Sequence, residues 1–79
     1  MGLITMGYIY IIRNTLNKKV YIGQTIQTVE SRFKQHIMLA NRGRATAKIY
    51  IAMRKLGVEN FYVEQLVECE DSELNKYEQ

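Results

Sequence analysis

The sequence predicts an α+β domain, a small three-stranded antiparallel sheet flanked by helices in the order ββααβα. Three observations predict it. Residues 8–12 and 20–22 are short runs rich in Ile, Val and Tyr, and an asparagine-bearing polar stretch between them marks a hairpin turn. Two segments between Thr28 and Gly57 carry apolar residues at helical spacing. A further run of β-branched and aromatic residues, NFYVEQLVE at 60–68, follows them.

In the first strand Tyr8, Tyr10 and Ile12 share one face, because strand side chains alternate. Residues 14–18 hold two asparagines and suit the turn. In the second strand Lys19, Tyr21 and Gly23 share a face. With Tyr10 and Tyr21 on the same side of the hairpin, Gly23 is expected to leave a shallow space beside them. Thr28 is placed as an N-cap, with Glu30 favourably set in the first turn. The stripe Val29, Phe33, Ile37, Ala40 carries this helix to about Ala40, and Arg42 and Gly43 end it. Thr46 can cap a second helix with the stripe Ile49, Met53, Leu56 and a terminal Gly57. A last helix is expected from Asp71 or Ser72.

At 79 residues the chain has room for one core, and its 47% hydrophobic content is enough to build it. No apolar stretch approaches the roughly 20 residues of a membrane helix. A basic segment followed by an apolar run does not open the chain, so secretion is not expected. Cys69 is the single cysteine, so the chain forms no internal disulfide, and the sequence around it holds no second Cys or His to suggest a zinc site. These features predict a thiol in a reducing, intracellular and cytoplasmic setting, with no membrane association. The net charge of +3 is mild but segregated. No acid lies between Arg32 and Lys55, whereas acids dominate from Val58 onward, where Lys76 is the only cation. A basic middle suits a phosphate backbone, and ordinary solvated faces account for it equally well.

Taken singly, the candidate residues have plain readings. Tyr10 and Tyr21 can be a structural cross-strand pair. Arg32 and His36, four positions apart, stack on one helix face and can be a surface arginine and histidine. Glu78, four after Leu74, can be a solvated carboxylate. Together they form a more specific pattern.

The order YIY, VYIG, R-x-x-x-H and a late glutamate resembles the GIY-YIG nuclease domain over essentially the whole chain, 1–79. The stretch IRNTLNKKVYIGQT is similar to the intron-encoded and phage homing endonucleases of that family. The resemblance puts the family's tyrosines on Tyr10 and Tyr21, its motif glycine on Gly23 and its catalytic arginine on Arg32. His36 matches a position where members carry histidine or tyrosine, and Glu78 matches the single metal-binding glutamate. Tyr8 replaces the first motif's glycine, with Gly7 one place earlier, and only a local backbone change is expected from that. The chain ends one residue beyond Glu78. The expectation is therefore a catalytic module with a truncated final helix and without its target-recognition domain, which a C-terminal DNA-binding domain would supply in a full-length protein.

The resemblance implies a divalent-metal-dependent DNA endonuclease that hydrolyses phosphodiester bonds. Mg²⁺ is the expected ion, with Mn²⁺ able to substitute, and Glu78 its only protein ligand. The sequence offers no second clustered carboxylate, which favours one metal over two. Arg32 would hold the scissile phosphate through paired hydrogen bonds. Tyr10 would accept the proton of the attacking water, which calls for a pKa lowered by Arg32 and Lys19. Tyr21 and His36 would position water or phosphate, with His36 sharing the proton work. Lys34, Arg42, Arg44, Lys48, Arg54 and Lys55 are the expected DNA-backbone contacts, giving weak, steeply salt-dependent binding. A homing or mobile-element enzyme is the leading reading. A repair or restriction nuclease, a non-catalytic nucleic-acid-binding relic of the same fold, and a protein-interaction module using the tyrosine face are the alternatives.

Overall fold

The computed structural model describes residues 6–70. Strand β1 (Met6–Asn14) and strand β2 (Tyr21–Thr25) form the hairpin, and helices α1 (Val29–Arg42) and α2 (Lys48–Leu56) follow. A 3₁₀ turn, Val58–Asn60, leads into strand β3 (Phe61–Glu70). The sheet order is β2-β1-β3, antiparallel throughout, so the fold is the expected three-stranded α+β arrangement. The helix expected from Asp71 lies outside the described residues.

β1 is central, and its composition shows why. Tyr10 and Ile12 are each 1% exposed on one face, while Ile9 and Ile11 are 2% and 6% exposed on the other. Alternation therefore selects a face without selecting polarity, as for a strand covered on both sides. The hairpin turn is built by asparagines. Asn14 Oδ1 accepts from the backbone N–H groups of Leu16 and Asn17, at 2.9 and 2.8 Å, and Asn17 Oδ1 accepts from that of Lys19. These bonds satisfy turn donors that no strand reaches.

α1 starts as expected. Thr28 Oγ1 accepts from the Ser31 N–H, and Gly43 closes the helix at φ 75°, a left-handed conformation that glycine adopts freely. α2 departs from expectation: its N-cap is Ala47 rather than Thr46, and no side chain caps it. Arg54 instead ties the connection down, donating from Nη2 to the Ala45 carbonyl at 2.7 Å. The core between helices and sheet joins Tyr10, Ile12 and Phe61 to Val29 and Ala40 of α1 and Ile49 and Met53 of α2. No helix among the described residues is long and apolar enough to cross a membrane.

Candidate active site

The two strand motifs meet across the hairpin. Tyr10 pairs with Gly23, and Ile12 with Tyr21, so both tyrosines face the helices, with ring centroids 6.5 Å apart. The space expected beside Gly23 is filled: a Cβ there would collide with Oη, Cζ and Cε2 of Tyr10. Gly23 has no positive φ. It is needed here for the close approach of a ring to backbone rather than for conformational freedom. Tyr8, at the first motif's glycine position, sits in regular strand opposite Thr25 and packs against the core. No non-glycine among the described residues has a positive φ.

α1 brings Arg32 and His36 to this floor. His36 is not the surface residue its spacing allows. It is 1% exposed, and its Nε2 lies 2.8 Å from Tyr10 Oη. Its ring is surrounded by three others, Tyr10 at 6.0 Å, Tyr21 at 5.6 Å edge-on and Tyr50 at 5.4 Å. Tyr50, from the first turn of α2, is the residue that sequence reasoning missed. A signal existed, because it lies beside Ile49 and three positions before Met53, at the edge of the apolar stripe. Tyr50→Ala is expected to destabilise the fold by about 1 kcal/mol more than Tyr50→Phe, since only the former removes the ring from His36. Paired urea titrations check this.

Burial dominates the electrostatics. It lowers the His36 pKa to about 4, with the Arg32 charge adding in the same direction. The imidazole is therefore neutral near pH 7. Burial also raises the Tyr10 phenol, helped by Tyr21, while the charge and hydrogen bonding of Arg32 pull it down by less. The expected lowering of Tyr10 by Arg32 and Lys19 is thus reversed. Arg32 acts in the anticipated direction, desolvation outweighs it, and Lys19 does not contribute. A protonated phenol facing a neutral imidazole shares one hydrogen. In the tautomer with hydrogen on Nδ1, Tyr10 Oη donates to Nε2. Nδ1 itself is buried without a partner among the described residues.

The His36 shift has a signed consequence. An unfolded histidine takes its proton near pH 6.5, whereas folded His36 resists until about 4. Its contribution to stability is complete above about pH 6.5 and is lost as pH falls towards 4, because only the unfolded chain gains the proton. Melting temperature should drop across that window, and the drop should shrink in His36→Gln.

Arg32 is half-buried, and its Nη1 donates to Gln35 Oε1 at 3.0 Å, while Gln35 Nε2 donates to Gln27 Oε1 at 3.1 Å. A guanidinium has five N–H groups, so this brace fixes the fork and leaves donors for an anion. Tyr21 is half-buried, whereas Tyr10 is 1% exposed, so solvent meets Tyr21 first. Lys19 is exposed and lines a groove that Tyr21 also lines. Lys34, Arg42, Arg44, Lys48, Arg54 and Lys55 are all exposed. The one ion pair among the described residues, Arg13 with Glu64 at 3.4 Å, involves none of them.

Glu78 lies outside the described residues. Mg²⁺ takes oxygen ligands, above all carboxylates. Among the described residues no group of three His, Cys, Asp or Glu could hold an ion, and the rings gathered here offer phenols and one imidazole nitrogen. The described residues therefore do not by themselves fit the metal.

Comparison with known proteins matches this geometry to a family. The GIY-YIG catalytic domain matches residues 6–79. The chain is 40% identical over 72 residues to uncharacterized protein 019R of Invertebrate iridescent virus 6, covering 91% of the chain and 24% of that protein. It is 41% identical over 64 residues to putative MSV199 domain-containing protein 146R of the same virus, covering 81% of the chain and 26% of that protein. The chain thus spans about a quarter of the length of these relatives. No solved structure matches it. The match over nearly the whole chain, on the strands and helix that assemble Tyr10, Tyr21, Gly23, Arg32 and His36, means that the chain belongs to the GIY-YIG catalytic domain family, nucleases that hydrolyse phosphodiester bonds.

Proposed function

We propose that this domain cuts DNA as the catalytic module of a longer protein, with Arg32, Tyr10, Tyr21 and His36 as its working residues and Glu78 as the ligand of one Mg²⁺. The observation that carries the reading is the buried Tyr10–His36 contact of 2.8 Å beside the braced Arg32. Arg32 holds two oxygens of the scissile phosphate in its fork. Tyr10 accepts the proton of the attacking water as its own hydroxyl hydrogen passes to Nε2 of neutral His36, while the bond from phosphorus to the 3′-oxygen breaks and that oxygen takes a proton from a solvent water to leave as the 3′-hydroxyl. Such a relay lets a phenol with a raised pKa act without standing as a free phenolate. Tyr21, the more exposed phenol, orients the water or the phosphate, and Lys19 stands beside it. Glu78 would hold the cation, which when bound would neutralise the extra negative charge that develops on the phosphoryl oxygens as water attacks the phosphodiester.

The six exposed cations of α1, α2 and their connection, unpaired with any acid among the described residues, make a surface for the DNA backbone. Target choice falls to parts of the protein beyond this domain. A homing or mobile-element setting is favoured by the likeness of IRNTLNKKVYIGQT to such enzymes. Cleavage of an end-labelled duplex tests the chemistry. Products should carry 5′-phosphate and 3′-hydroxyl ends. Mg²⁺ or Mn²⁺ should support cutting, and EDTA or Glu78→Gln should lower it by at least about 10²-fold. Full activity in EDTA would remove the metal from the account.

A further inference from the structure

A groove of about 400 Å³ lies between the hairpin and α2, and its walls include Tyr21, Val20, Ala52, Leu56 and Phe61, with Lys19 and Lys48 also on the lining. Of this set the catalytic site described above uses only Tyr21 and Lys19, and the backbone surface uses Lys48. The size is that of a small-ligand pocket. Three features narrow its occupant. The walls are mostly apolar and carry two aromatic rings, and none of the lining residues is acidic. Both lysines are exposed. The groove also holds Asn14 and Asn17, but their side-chain oxygens already accept from the turn and from each other, at 2.8–3.0 Å, so they have little capacity left to read hydrogen-bond donors.

We propose that this groove seats one unpaired nucleobase of the DNA strand being cut, next to the scissile phosphate, while Lys19 and Lys48 hold the phosphates on either side. The inference rests on the nuclease reading for its substrate. Continuity through Tyr21, which belongs to both the floor and the groove, would bring the base next to a phosphate held at Arg32 and Tyr21 to the groove. Charge complementarity sets the class, with an apolar slot beside two cations matching a flat base attached to an anionic backbone. With both asparagine oxygens already accepting, the slot has little means of selecting a base by its hydrogen-bond donors. The domain should therefore favour DNA with an extrahelical or single-stranded base at the cut over fully paired DNA, whatever that base is. Extrusion costs least where the base is already unpaired.

The test uses the full chain and two duplexes that differ by one extrahelical 2-aminopurine. Binding is followed by anisotropy and base environment by 2-aminopurine fluorescence. The extrahelical duplex should bind about tenfold more tightly, with its fluorescence quenched by stacking. Ala52→Leu, which fills the slot, and Val20→Trp, which occupies its exposed edge, should each abolish the preference while retaining affinity for the paired duplex. Because Val20 is 48% exposed, the second variant tests the slot without disturbing the core. Equal affinity for the two duplexes, or a preference that survives both variants, overturns the proposal. Neither readout needs cleavage. A domain that prefers the unpaired base but cuts nothing would therefore sink the nuclease reading and leave the groove assigned, and the converse result would do the reverse.

Discussion

Tyr10→Phe is expected to slow DNA cleavage by about 10²–10⁴-fold, the range associated with loss of a positioned proton acceptor. The substitution keeps the ring, which still fits over Gly23, and removes only the oxygen that meets His36. Nε2 then joins Nδ1 as a buried nitrogen without a partner among the described residues, at a cost of about 1–3 kcal/mol. The two effects separate in the measurement. A phenol with a purely structural role would lose that stability, yet cut normally at temperatures where the variant is folded. Single-turnover cleavage beside a urea titration gives both numbers. Tyr21→Phe should be milder in stability, because Tyr21 is less buried.

Gly23→Ala should be as damaging from the other side of the same contact. The added methyl would overlap the Tyr10 phenol, and Tyr10, 1% exposed within the core, has nowhere to retreat. Overpacking of this kind costs about 1–3 kcal/mol. The ring can relieve it only by leaving its place at His36, and a displacement of about 1 Å at a reacting group can cost about 10²-fold in rate. Gly43→Ala supplies the contrast. Gly43 has φ 75° and nothing within 4 Å of the added methyl, so it should lose about 1 kcal/mol through backbone strain and keep its cleavage rate. Thermal melts and cleavage rates of the two variants distinguish strain anywhere from displacement of Tyr10.

Much of this floor was legible in the sequence because strand alternation is a local rule. It put Tyr10 with Ile12 and Tyr21 with Gly23, and the pairing of Tyr10 with Gly23 follows from the hairpin that the two asparagines build. The Thr28 cap and the Gly43 stop were equally local. What escaped depends on the tertiary surroundings. His36 borders the stripe of Val29, Phe33 and Ile37, and helical spacing alone left it at the surface. Packing of α2 against α1, with Tyr50 as the covering ring, buries it. The direction of the Tyr10 pKa escaped for the same reason, because sequence names nearby cations but does not weigh desolvation against them. Thr46 resembled a cap by type, yet the backbone starts α2 one residue later at Ala47. Glu78 was recognised through resemblance alone and lies outside the described residues.

Nicking of supercoiled plasmid in Mg²⁺, with the wild-type chain and Arg32→Ala side by side, bears most directly on the claim that these residues form a phosphodiesterase site. Arg32 is half-buried and is not part of the hydrophobic core, so its loss should spare the fold. Nicking by the wild type should fall by at least about 10²-fold in the variant while the melting temperature barely changes. Equal nicking by the two proteins, or none by a folded wild type at high concentration, would contradict that claim.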